Sequence, residues 1–95
     1  MAKLSPQQIT ENLKALPGWE HKGEAIAKKY TFKAFMDGIR CLNRVAELAE
    51  EMDHHPDVTI NYTRITFTLS THDQGGITEK DFKLAEGIER EFKAS

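Results

Sequence analysis

Apolar residues at Ile9, Leu13 and Leu16 are three and four positions apart, which puts them on one face of a short helix. Ser5, Pro6 and Gln8 supply its start. The serine hydroxyl can accept from free backbone amides, proline suits the first helical position, and glutamine completes a capping box. Pro17-Gly18 ends the helix, which is expected to run about 10–12 residues. Trp19–Lys22 and Ala25–Phe32 read as two strands with Gly23-Glu24 at the turn. In the second strand Ile26, Lys28, Tyr30 and Phe32 share one face, and the lysine among them suggests a strand at the edge of its sheet.

From Phe35 to Met52 the period becomes helical. Phe35, Ile39, Leu42, Ala46 and Ala49 form a stripe that Val45, Leu48 and Met52 widen, and Gly38 weakens the first turn slightly. This helix must stop before Pro56, whose ring disfavours helical geometry at His55. Val58, Ile60 and Tyr62, then Ile65, Phe67 and Leu69, alternate with polar residues and predict two antiparallel strands joined by a short turn. Thr66, Thr68 and Ser70 take the opposite face. Gly75-Gly76 breaks the chain, and Thr78-x-x-Asp81 opens a last helix as a capping box, with Phe82, Ala85, Ile88 and Phe92 on its buried side. The order αββαββα predicts an α+β fold: one domain over residues 1–95, a four-stranded antiparallel sheet with its helices on one face.

Composition narrows the function. The 95 residues suit one domain, 39% apolar and 29% charged, without repeat, linker or low-complexity tract. A formal charge of −2, with bases interleaved among acids, gives no reason to expect a nucleic acid or an anionic membrane as partner. Cys41 is the single cysteine and sits inside a helix, so it reads as a buried structural thiol in a reducing compartment. The segment Met1 to Pro6 has no apolar core of signal-peptide length, and no run approaches about 18 apolar residues, so the expected location is cytoplasmic.

Candidate chemistry gathers at element ends. His54 and His55 follow the long helix, and His72 follows the last strand; His21 lies in a hairpin strand and reads as a solvated surface residue. Imidazole gives and takes protons near neutrality, and loops held by rigid elements commonly carry reacting groups. Zinc is the rival reading, because three imidazoles suit it. Against it, adjacent histidines in an extended segment point to opposite faces, and no His-Glu-x-x-His pair is present. Gly75-Gly76 lacks the spacing and lysine of a phosphate loop. Glu50, four residues before His54, either orients an imidazole or belongs to a solvated run with Glu47 and Glu51. Asp53 and Asp73 flank histidines and can accept hydrogen bonds from a ligand, although Asp73 also suits a turn.

Glu50-Glu51-Met52-Asp53-His54-His55-Pro56, then Tyr62, then Ser70-Thr71-His72-Asp73 and finally Asp81 together resemble the signature of the pterin-4a-carbinolamine dehydratase family. The similarity extends through Gly75-Gly76-Ile77-Thr78 and Lys83-Leu84-Ala85, and back to Leu16-Pro17-Gly18-Trp19 and Phe32 to Phe35, so it covers nearly the whole chain. This resemblance implies dehydration of a 4a-hydroxytetrahydropterin to the quinonoid dihydropterin, a step of tetrahydrobiopterin recycling, with no metal and no cofactor. It places catalysis on His54, His55 and His72 with Glu50 in support: acid/base work on His54 and His55, and substrate positioning with charge stabilisation on His72. Asp53, Ser70, Thr71 and Asp73 become pterin contacts beside the histidines. The resemblance also implies a homo-oligomer, a dimer or a tetramer built from dimers. A second reading comes with it, because some members serve as a dimerisation cofactor for a transcription factor. Asp81 belongs to the motif, yet its place three residues after Thr78 assigns it to capping, with an effect on folding and not on turnover.

Overall fold

The structure, a computed structural model, describes residues 2–94; Met1 and Ser95 lie outside the described residues. In chain order the elements are α1 (Pro6–Leu13), β1 (Glu20–Lys22), β2 (Ala25–Thr31), α2 (Phe35–Met52), β3 (Asp57–Asn61), β4 (Arg64–Leu69) and α3 (Glu79–Lys93), with a 3-10 turn at His72–Gln74. This is the expected αββαββα order. The Ser5–Gln8 capping box forms as read, but α1 is shorter than expected. Leu16 bonds back three residues to Leu13 and Lys14 to Glu11, so the helix tightens before Pro17, which disfavours helical geometry at Leu16.

All strand pairs are antiparallel, and the sheet order is β1-β2-β4-β3. The expectation of β2 as an edge strand is therefore wrong: β1 pairs with it on one side and β4 on the other, and the edges are β1 and β3. Lys28, the residue that suggested an edge, has another reason to share a face with Ile26 and Tyr30. Its ammonium and the Tyr30 hydroxyl both donate to Glu89 Oε1 on α3, and Trp19 Nε1 donates to the same oxygen at 3.2 Å. Lys28 also donates to the Pro17 carbonyl at 2.9 Å. Burial alone would raise the Glu89 carboxyl; the bonds from Lys28 and Tyr30 outweigh it and hold the group below its ordinary value. Burial, reinforced by the Glu89 carboxylate, pushes the Tyr30 hydroxyl up, so it stays a donor.

The core lies between the sheet and the helices, built from Ile26, Tyr30, Ile65, Phe67 and Leu69 below and Cys41, Val45, Leu84, Ala85 and Ile88 above. On α2 the buried row is Gly38, Cys41, Val45 and Ala49, not the stripe that begins at Phe35; Phe35 is 43% exposed. Small residues on that row explain the rotation. A methyl placed on Gly38 would come within 3.1 Å of Ile65 Cδ1 and 3.2 Å of Phe32 Cδ2, so the helix approaches the sheet along its least bulky side. The other face of the sheet carries Lys29, Thr31 and Arg64 with the half-buried Thr66 and Thr68. At the β3 edge Val58, Ile60 and Tyr62 stay exposed, and near the start of α2 so do Phe35 and Met36.

Candidate active site

The site begins where α2 ends. Asp53 takes the left-handed conformation (φ 51°, ψ 43°), its amide bonds the Glu50 carbonyl, and the His54 amide reaches back to Ala49 at 3.0 Å. This is a Schellman closure made with aspartate where glycine is usual. It reverses the chain so that the next two residues diverge. His54 turns inward and keeps 9% exposure, while His55 faces solvent. The opposed orientation expected of the pair is present.

His54 Nε2 lies 2.6 Å from Asp81 Oδ1, a carboxylate with no exposure in the first turn of α3. The other oxygen, Oδ2, accepts from the Thr78 amide at 3.0 Å and from the Thr71 hydroxyl at 2.9 Å. The Thr78 hydroxyl lies 2.8 Å from Thr71 Oγ1 and accepts from the Lys80 amide at 3.2 Å. Thr71 has given its one proton to Asp81, so in that contact Thr78 donates and Thr71 accepts. Asp81 thus caps α3 as expected, and it also holds an imidazole.

His55 Nε2 is bonded to Glu50 Oε2, so Glu50 orients the second imidazole and not the first. His72 opens the 3-10 turn directly after Thr71, whose amide and carbonyl form a bridge with Gly76. The same Asp81 carboxylate therefore bonds His54 and the residue beside His72. Asp73 is exposed in that turn. The Ser70 hydroxyl donates to the Glu24 carbonyl at 2.8 Å and tethers the β1–β2 turn. Thr71 and Asp81 are the members whose roles sequence reasoning missed. The available signal was an aspartate at the third helical position within a histidine motif. Among the described residues, no three His, Cys, Asp or Glu side chains form a group that could hold a metal ion. A cleft of about 400 Å³ at Ala27, Lys29 and Thr66 and one of about 240 Å³ at His21, Gly76 and Ile77 lie elsewhere, and the three histidines line neither.

His54 on buried Asp81 and His55 on exposed Glu50 are two imidazoles, each able to give or take a proton. A sequence profile described as pterin 4 alpha carbinolamine dehydratase matches residues 2–91. The chain belongs to that family. A protein of Mycobacteroides abscessus, provisionally named pterin-4-alpha-carbinolamine dehydratase, is 50% identical over 97% of this chain and 98% of its own. One of Thermomicrobium roseum with the same provisional name is 51% identical over 90% of this chain and 91% of its own. Among solved structures, a transcriptional coactivator/pterin dehydratase from Brucella melitensis superposes with a TM-score of 0.91 at 35% identity, covering 94% of this chain and 97% of that one. A pterin dehydratase-like protein identified as a RuBisCO assembly factor in the alpha-carboxysome shares the fold, with a TM-score of 0.65 at 22% identity over 81% of this chain and 89% of that one. No helix among the described residues is long and apolar enough to cross a membrane.

Proposed function

We propose that this family member is a 4a-hydroxytetrahydropterin dehydratase in tetrahydrobiopterin recycling. The observation that carries the reading is the inward His54 held on buried Asp81 beside a second imidazole, His55, held on Glu50. The reaction is an elimination. The C4a–oxygen bond breaks as its hydroxyl takes a proton and leaves as water, N5 loses its proton, and a C4a–N5 double bond forms, with no net oxidation. One acid and one base suffice, and His54 and His55 supply them. His72 positions the ring, and Asp53, Asp73, Ser70 and Thr71 complete the pterin's surroundings. The test is turnover of a 4a-hydroxypterin generated by a coupled phenylalanine hydroxylase, followed by the quinonoid absorbance, with and without chelator. Turnover indifferent to chelator is expected; no acceleration over the uncatalysed dehydration removes the proposal.

A homo-oligomer in the cytoplasm belongs to the same reading. The exposed Val58, Ile60 and Tyr62 on the β3 edge support it, in place of the β2 edge first expected. A single monomeric species in light scattering at micromolar concentration would contradict it. The exposed Phe35 and Met36 also favour a second reading, a module that stabilises a partner's dimer as the coactivator name of the Brucella relative suggests. Under that reading His54→Ala and His55→Ala together leave partner binding intact.

A further inference from the structure

We infer that Asp81 is a positioning residue that selects one tautomer of His54, so that His54 works on the pterin through Nδ1; this rests on the dehydratase reading. A carboxylate offers acceptors only. Oδ2 is filled by the Thr78 amide and the Thr71 hydroxyl, which leaves Oδ1 for the imidazole, and a ring facing that oxygen at 2.6 Å donates its Nε2–H. In the neutral ring the proton is then on Nε2 and the lone pair on Nδ1. Nδ1 is also the open end of the ring. The hydrogen bond of the His54 side chain runs through Nε2, and among the described residues no buried polar side-chain atom lacks a partner. Nδ1 has none, so solvent or substrate reaches it. Thr78 acts one step further back, because its hydroxyl donates to Thr71 Oγ1 and leaves the Thr71 proton for Asp81.

This arrangement makes the effect of Asp81→Asn specific. The Thr78 amide is a fixed backbone donor and cannot turn away, so the amide oxygen of Asn must occupy the Oδ2 place. Its NH₂ then faces His54 Nε2, which becomes the acceptor, and the ring proton moves to Nδ1. The cap survives, while the working atom loses its lone pair. A carboxylate whose only role is structural would show the inversion without the loss of turnover, so the two readouts together separate the roles.

The experiment is a two-bond ¹H–¹⁵N spectrum of the histidine rings in wild type and Asp81→Asn, at a pH where His54 is neutral, with turnover measured on the same samples. Wild type is expected to show Nε2 protonated and Nδ1 bare. In Asp81→Asn the pattern inverts and turnover falls by about 10²–10⁴-fold, the range seen when an imidazole is held in the wrong tautomer or a positioned acid or base is lost. Nδ1–H in the wild type overturns the inference, and that measurement stands even if the variant does not fold. An unchanged pattern in folded Asp81→Asn also overturns it, and inversion with wild-type turnover overturns the positioning role. A wild type that turns over no hydroxypterin sinks the dehydratase reading instead, and with it Nδ1 as the working atom; the spectra still decide the tautomer.

Discussion

Glu89 holds α3 to the sheet, and removing it is the most informative test of how this small domain stays together. Its Oε1 accepts from Lys28, Tyr30 and Trp19, and the Lys28 and Glu89 side chains are only 20% and 14% exposed. At that burial solvent screens the pair little. Glu89→Ala leaves an ammonium and two neutral donors without their acceptor, which costs about 3–5 kcal/mol on the scale of broken buried pairs. For a domain of this size each kcal/mol moves Tm by roughly 4–8 °C, so a drop of at least about 12 °C is expected. Glu89→Gln keeps the acceptor and removes only the charge, so it costs less.

The charge has its own signature in pH. The Glu89 carboxyl is held below its ordinary value of 4.5 in the folded protein. Stability from the ionised form is therefore fully present above the unfolded value and is lost as pH falls through the folded one. The stability difference between wild type and Glu89→Gln should be flat above about pH 5.5 and shrink below about pH 4.5, because glutamine has no proton to bind. Urea unfolding of both proteins at fixed concentration, from neutral pH down to about pH 3, measures it. Two curves that stay parallel to the acid end refute the reasoning.

His55→Ala should lower turnover by about 10²–10⁴-fold with no loss of stability, since its ring is exposed and bonded only to exposed Glu50. His54→Ala should do the same per folded molecule and also lower Tm, because it strips buried Asp81 of a partner. His72→Ala should chiefly raise KM; collapsed turnover at unchanged KM contradicts that division of roles. Asp53→Gly should stabilise by about 0.5–1 kcal/mol in thermal unfolding, since glycine takes the left-handed conformation at no steric cost, and should raise KM by removing a pterin contact. An unchanged KM takes Asp53 out of the site.

Periodicity and capping were enough for the elements. The run from Phe35 to Met52 is bounded by Pro56 on one side, and the Thr78–Asp81 box marks the start of α3, so both helices were legible to the residue or nearly so. Partnership was not. Alternation shows that Ile26, Lys28 and Tyr30 share a face, but nothing local says that Glu89 waits 61 residues away to receive the lysine, and without that partner Lys28 looked like an edge residue. The rotation of α2 was hidden for a similar reason. Two apolar rows lie side by side, and only the close approach at Gly38 selects the narrower one. In the site the histidines, Glu50 and Asp81 could be picked out along the chain, while the 27-residue link from His54 to Asp81 exists only after α2 and α3 pack together.

Capping and chemistry look like competing roles for Asp81 until its two oxygens are taken separately. Oδ2 serves the end of α3 through the Thr78 amide, and Oδ1 serves His54. Both uses draw on the same negative charge. A carboxylate at the third position of a helix is favoured by the positive end of that helix, and the same charge accepts the Nε2–H of His54. The same division explains why alanine is a poor probe here. It removes both oxygens and leaves the Thr78 amide, the Thr71 hydroxyl and His54 Nε2 without their acceptor, so stability and turnover fall together. Asparagine keeps the first oxygen and replaces the second with a donor. Only a substitution that treats the two oxygens differently can separate the helix cap from the imidazole it holds.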